Sequence, residues 1–169
     1  MNDNTTFWDI ETTDLQPWTG RIISSCFKLL GSEEINCITG ENEKEILEKT
    51  ISFFENNRPT LINFNIFFDL SFFRVRSVVN KVNCKILDNL LRIDLKLVLD
   101  GLDQVNKKSM RLGDYASYCN IQNNSYEVSG AGMQTLFINK EFEKIKQHNI
   151  ADVKKVEILY QRLRECGIL

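Results

Sequence analysis

The sequence predicts an α/β domain with a mixed central β-sheet flanked by α-helices. Three observations predict it. The first forty residues hold three β-branched and aromatic runs separated by turn formers, and strand-like and helix-like patterns alternate after them. The chain then closes on a stretch whose apolar residues Val153, Val156, Leu159 and Leu163 form one helical face. Its 169 residues suffice for one domain with a core and are too few for two ordinary ones, so a single domain over residues 1–169 is expected.

The first strand lies in FWDIETTDL, Phe7 to Leu15, and gives way to QPWTG, where Pro17 and Gly20 supply turn chemistry. RIISSCFKLLGS and EINCITG, separated by GSEE, read as a hairpin beside that strand. Glu41 to Asn57 opens with acidic residues and spaces Ile46, Leu47, Ile51, Phe53 and Phe54 as an amphipathic helix. Arg58 and Pro59 end it. TLINFN then starts a short strand that runs into a second helix, FFDLSFFRVRSVV. KILDNLLRIDLKLVLDGL suits a short strand followed by a helix starting near Asp94, whose side chain can cap it. Lys107 to Gly113 is a basic, polar loop or helix entrance leading to the helical RLGDYASYCNI, and NNSYEVSGAG is rich enough in turn formers to be a loop. The helical pattern resumes in MQTLFI and, after a break near His148 and Asn149, in IADVKKVEILYQRLREC. In open α/β sheets ligands sit at strand ends, which is where the carboxylates of the first strand fall.

Charge and cysteine content narrow the function classes. With 21 basic and 23 acidic residues, the chain has no global attraction for nucleic acid, so any such binding must come from a local groove or from bound metal. Five scattered cysteines, none at zinc-knuckle spacing, read as buried thiols in a reducing compartment. The start MNDNTT lacks a leader pattern and no apolar run approaches membrane-spanning length, so a cytoplasmic location and no membrane partner are expected.

Asp9 and Glu11 carry the chemistry. Side chains of a strand alternate, so these two carboxylates project from one face, where they raise each other's pKa unless a cation lies between them. An Asp-x-Glu pattern alone is common; its place at the end of a central strand is the stronger argument. Carboxylate oxygens are hard ligands suited to Mg²⁺ or Mn²⁺. Asp69 falls at the start of a helix leaving a strand, and Asp152 lies one helical turn after His148, the single histidine.

FWDIETTDL, NFNIFFDLSFF and HNIADVKKVEILY, in that order and widely separated, resemble the three motifs of the DEDD exonucleases of the ribonuclease H-like fold. The pattern N-x-x-F-D, the RIDLKLVL segment, the SGAG stretch and the closing HNIADV look most like the YprB-like group related to the proofreading domains of family-B DNA polymerases. The resemblance implies a ribonuclease H-like fold in which Asp9, Glu11, Asp69 and Asp152 hold two divalent ions, Mg²⁺ or Mn²⁺, and His148 is the general base. Only three residues separate His148 from Asp152, where the histidine branch leaves four; the spacing is that of the branch with tyrosine. Histidine as a residue type titrates near neutrality, which suits it to taking a proton from water. By the same resemblance Thr12, Thr13 and Leu15 lie along the path of the terminal nucleotide, and Asn65 and Phe68 face the substrate.

The implied activity is 3′-to-5′ exonucleolytic hydrolysis of single-stranded DNA or RNA to nucleoside 5′-monophosphates. The rival readings are a binding module that has lost its activity and a structure-selective endonuclease, which product length separates from the exonuclease. Arg74, Arg76, Lys107, Lys108 and Arg111 are candidate phosphate contacts, each weighed against an ordinary surface charge. For Phe68 the competing role is core packing, and for Asp94 an outer position near the metals competes with the helix cap. Partners beyond 3′ ends of nucleic acid would be a second copy or a larger nucleic-acid-processing complex.

Overall fold

The computed structural model describes residues 4–102, 110–121 and 130–169. Strand β1 (Thr5–Thr12) pairs antiparallel with β2 (Ile22–Leu29), which pairs antiparallel with β3 (Asn36–Thr39). On its other side β1 runs parallel to β4 (Thr60–Asn63), itself parallel to β5 (Arg92–Asp94). The spatial order is therefore β3-β2-β1-β4-β5, a mixed sheet with β1 at its centre. Parallel neighbours need crossovers. Helix α1 (Glu43–Asn57) returns the chain from β3 to β4, and α2 (Ile66–Asn80), followed by a 3₁₀ turn at Lys85–Asn89, returns it to β5.

Alternation along β1 divides the core in two. Trp8 and Ile10 point to the layer built by α1 and α2, with Leu47, Phe54, Leu70 and Phe73. The Trp8 ring meets Phe54 and Phe73 edge-on at 5.3 and 5.5 Å, and its indole N–H donates to Ser25 Oγ at 3.0 Å, so no buried donor is wasted. Phe7 points the other way, to Ile62 and the apolar face of α6 (Phe142–Glu165), where Val153, Val156, Leu159 and Leu163 sit as the periodicity predicts. Each such buried side chain stabilises the fold by about 2 kcal/mol. Helices α3 (Leu95–Leu102) and α4 (Leu112–Tyr118) complete that layer through Leu95, Leu99 and Tyr115. Helix α5 (Gly130–Ile138) packs through Met133 on Ile23 and Ile145.

Local chemistry explains the boundaries. Asn42 caps α1 by accepting the N–H of Glu45, and Arg58, at φ 43°, closes it with an N–H to Phe54 O before Pro59. Three sequence expectations are corrected. Helix α6 runs unbroken through His148 and Asn149, because neither Gly nor Pro interrupts it and Asn149 spends its side chain on β1 instead of on a cap. The SGAG stretch is not all loop, since α5 begins at Gly130; residues 122–129 lie outside the described residues. Cys26 and Cys37, paired across β2 and β3 with Cα atoms 4.1 Å apart, form a disulfide, so the five cysteines are not all thiols. Among the described residues no helix is long and apolar enough to cross a membrane.

Candidate functional site

Three elements meet at the carboxyl end of β1. Asp9 and Glu11 stand on one face of that strand, opposite Cys26 and Ser24, and the ladder slips between Glu11 and Thr12. Strand β4 stops at Asn63 and α2 begins three residues later, through Asn65 in the left-handed region at φ 67°. That abrupt turn sets Asp69 in the first turn of α2, 3% exposed, with Oδ1 accepting the backbone N–H of Ile10 at 3.2 Å. Helix α6 crosses the same end. Residues four apart share its face, so the spacing of His148 and Asp152 aims both at β1. His148 Nε2 lies 3.7 Å from Glu11 Oε1 and 3.7 Å from Asp152 Oδ2, and one ligand atom from each of Glu11, His148 and Asp152 lies within 4.8 Å of the others.

The electrostatics are those of an acidic cluster short of positive charge. Burial is the largest cause raising the Asp9 pKa well above the carboxylate range, and the charges of Asp69, Glu11 and Asp152 add to it. Glu11 is raised likewise by burial, then by Asp152 and Asp69. Burial pushes Asp69 up to about 8 against the hydrogen bond from Ile10. The Asn63 side chain lowers it too, although its Nδ2 stands outside hydrogen-bonding geometry with every acceptor among the described residues. Such a set fits a divalent cation: it offers hard oxygen donors whose anionic forms are unfavourable until a cation joins them. Asp9, Glu11, Asp69 and Asp152 are the residues that could hold one or more.

Two further residues belong to this cluster that sequence reasoning passed over. Asn149, fully buried on α6, donates from Nδ2 to Asp9 Oδ2 at 3.2 Å, while its Oδ1 has no hydrogen-bond partner among the described residues. Lys155, 6% exposed, donates to Asp152 Oδ1 at 2.8 Å and is the cation that draws down Asp9 and Glu11. Their signal was the register of α6: Lys155 follows Asp152 by three and His148 by seven, all on one face once the helix is unbroken.

The remaining sequence-predicted residues fall around the site in different ways. Thr12 Oγ1 donates to Asp14 O and Thr13 Oγ1 accepts the N–H of Arg21, so both hydroxyls shape the turn after β1. Asp14 ties that turn further by accepting from Leu15 N and Thr19 Oγ1. Gly20 closes it so tightly that a Cβ there would sit 2.9 Å from Asp14 Cβ and 3.0 Å from the Phe72 ring. The turn holds Leu15 and Trp18 in solvent, 72% and 68% exposed. Asn65 is exposed and lines the cleft with Asp9 and Asp152. Phe68 is half-buried against Phe72 at 5.1 Å between ring centres, and the exposed ring at this position is its neighbour Phe67. Asp94 caps α3 through Lys96 N, as expected, and also accepts from Asn65 N.

Of the phosphate candidates, Arg76 is removed from the list. Its guanidinium is buried and takes both oxygens of Glu43, at 2.9 and 2.7 Å, because α1 and α2 pack side by side. Arg74 pairs with Asp88 at the surface, Arg111 lines the cleft, and Lys107 and Lys108 lie outside the described residues.

Comparison with known proteins agrees with this architecture. An uncharacterized protein of Methanocaldococcus jannaschii is 29% identical over 173 residues, covering 95% of this chain and 96% of that protein. The product-bound structure of exonuclease I superposes with a TM-score of 0.68 at 14% identity, over 96% of this chain and 44% of that one. This chain thus spans less than half the length of that exonuclease structure. With a match to the family running from residue 6 to residue 164, the chain belongs to the RNase H superfamily.

Proposed function

We propose that this chain, folded as one domain, is a divalent-metal-dependent nuclease of the DEDD type that removes nucleoside 5′-monophosphates from the 3′ end of single-stranded DNA or RNA. The observation that carries the reading is the meeting of Asp9 and Glu11 from β1, Asp69 from α2 and Asp152 from α6, the first three buried so that each has its pKa raised. A cluster of four carboxylates with one buried lysine to offset them costs stability, so it marks a site with a task. The fold it shares with an exonuclease solved with its product supports the same class of reaction.

Asp9, Glu11, Asp69 and Asp152 would hold two ions, Mg²⁺ or Mn²⁺. Bound there, the cations would supply a water-derived nucleophile at neutral pH and relieve the charge on the departing 3′ oxygen. His148 takes the proton of the attacking water at Nε2. Glu11 Oε1 and Asp152 Oδ2 flank that nitrogen, each at 3.7 Å, and hold the ring facing the cluster. Asn149 fixes the orientation of Asp9, and Lys155 that of Asp152. Attack at phosphorus breaks its bond to the 3′ oxygen, so the phosphate leaves with the terminal nucleoside as its 5′ ester. Thr12, Thr13, Leu15, Asn65 and Phe68 would border the terminal nucleotide.

Product length tests the reading. Strands with free and blocked 3′ ends are digested in Mn²⁺ and the products separated: mononucleotides from the free end alone are expected. Fragments cut from the blocked strand would transfer the site to an endonuclease.

A further inference from the structure

The acidic site must receive a polyanion, yet the chain carries a net charge of −2 and the four carboxylates repel phosphate. Some local group has to offset that repulsion. A cleft of about 410 Å³ opens at the site, lined by Asp9 and Asp152 together with Lys96 and Arg111, and by the apolar Phe64 and Leu112. We infer that this cleft is the channel for the substrate strand and that Lys96 and Arg111 grip its backbone phosphates there, an inference that rests on the nuclease reading.

Both cations are set in place by the fold. One carboxylate oxygen, Asp94 Oδ1, accepts the backbone N–H of Asn65 at 2.8 Å and that of Lys96 at 3.0 Å, locking the start of α2 to the start of α3. The Lys96 ammonium is then oriented by Asp100, whose other oxygen accepts from Tyr115 Oη at 2.6 Å. One oriented hydrogen bond leaves an ammonium two donors for phosphate. Arg111 is pinned at the entrance of α4, where its N–H donates to Asp114 Oδ2 at 2.8 Å and its carbonyl accepts from Asp114 N at 3.0 Å. A guanidinium at such an anchored position can take a phosphate by two parallel bonds, and an ammonium acts beside it as a point charge. The apolar lining leaves room for sugar and base without reading sequence, which matches a strand held by its backbone. Arg76 is excluded from this role by its burial against Glu43, and Arg74 because it does not line the cleft.

The test is fluorescence anisotropy of labelled oligo-dT and oligo-U against salt, in Ca²⁺, with wild-type cleavage in Mn²⁺ measured alongside. Lys96→Met and Arg111→Gln should each weaken binding about tenfold and lower the slope of log affinity against log salt by about 0.7. Lys96→Arg should retain most of the binding, Arg111→Lys should keep the salt slope while losing part of the affinity with its second parallel bond, and Lys49→Met, an exposed charge on α1, should change nothing. If the wild type cuts and binds while the neutral variants keep its affinity and slope, the channel assignment is overturned and the nuclease reading stands. Equal losses in the charge-conserving variants also overturn it, since the residues would then act by holding the fold. A wild type that neither cuts nor binds removes the nuclease reading and this inference with it.

Discussion

Replacing Asp69 with Asn should make the metal-free protein more stable and deprive it of its response to divalent ions. Asp69 is 3% exposed and its pKa rises from 3.8 to about 8, chiefly through burial. Between those values the folded chain holds a proton that the unfolded chain has lost. Stability without metal therefore falls as pH rises from about 4 to about 8, and levels off beyond. At about 1.4 kcal/mol per pH unit over this span the penalty approaches a ceiling of about 6 kcal/mol above pH 8. Protons are shared with Asp9 and Glu11, so a gain of about 2 kcal/mol is expected from the substitution. Asn keeps an oxygen for the Ile10 N–H and loses only the charge. For a chain of this length the gain corresponds to a rise of roughly 4–8 °C in Tm. Thermal unfolding in EDTA at pH 8 should show that rise, about half of it should remain at pH 6, and Mn²⁺ should stabilise the wild type alone. A variant that melts at or below the wild type at pH 8, or that still gains from Mn²⁺, would refute the reasoning.

Three other substitutions probe neighbouring parts of the account. His148→Ala should lower kcat by about a hundredfold or more while the Mn²⁺-induced rise in Tm persists; losing both together would make His148 a ligand instead of the base. Lys155→Met should lower the Tm in EDTA, by about 3 kcal/mol in stability, because it leaves Asp152 without its buried partner, and added Mn²⁺ should restore more than it adds to the wild type. A variant more stable than wild type in EDTA would contradict that role. Cys26→Ala with Cys37→Ala should cost about 3 kcal/mol, the loop-closure value for a separation of 11 residues, and reductant should lower the wild-type Tm by a similar amount. A Tm indifferent to reductant would speak against the bond.

Much of this arrangement could be read before the structure was known, because the signals were local. Alternation along FWDIETTDL was enough to place Asp9 and Glu11 on one face, and turn chemistry at Pro17, Gly20 and Pro59 marked the element ends. The unread parts depend on partners distant in sequence. Arg76 looked like a surface cation because Glu43, which neutralises it, stands 33 residues earlier on another helix. The Cys26–Cys37 bond follows from the register of β2 against β3, which a count of cysteines does not contain. The sequence reads as breaking near His148 and Asn149, but burial of Asn149 against Asp9 keeps the helix continuous there. Lys155 was hidden for the related reason that its aim is defined only once α6 is continuous.

The central claim is that the four carboxylates exist to cleave phosphodiesters from a 3′ end with metal. The most direct measurement is the fate of 5′-labelled single-stranded DNA and RNA in Mg²⁺, Mn²⁺ or EDTA, with wild type beside Asp9→Ala. The account predicts a one-nucleotide ladder that requires metal, disappears in the variant and reveals the preferred sugar. Strands left intact by the wild type under every metal, while still bound, would contradict it.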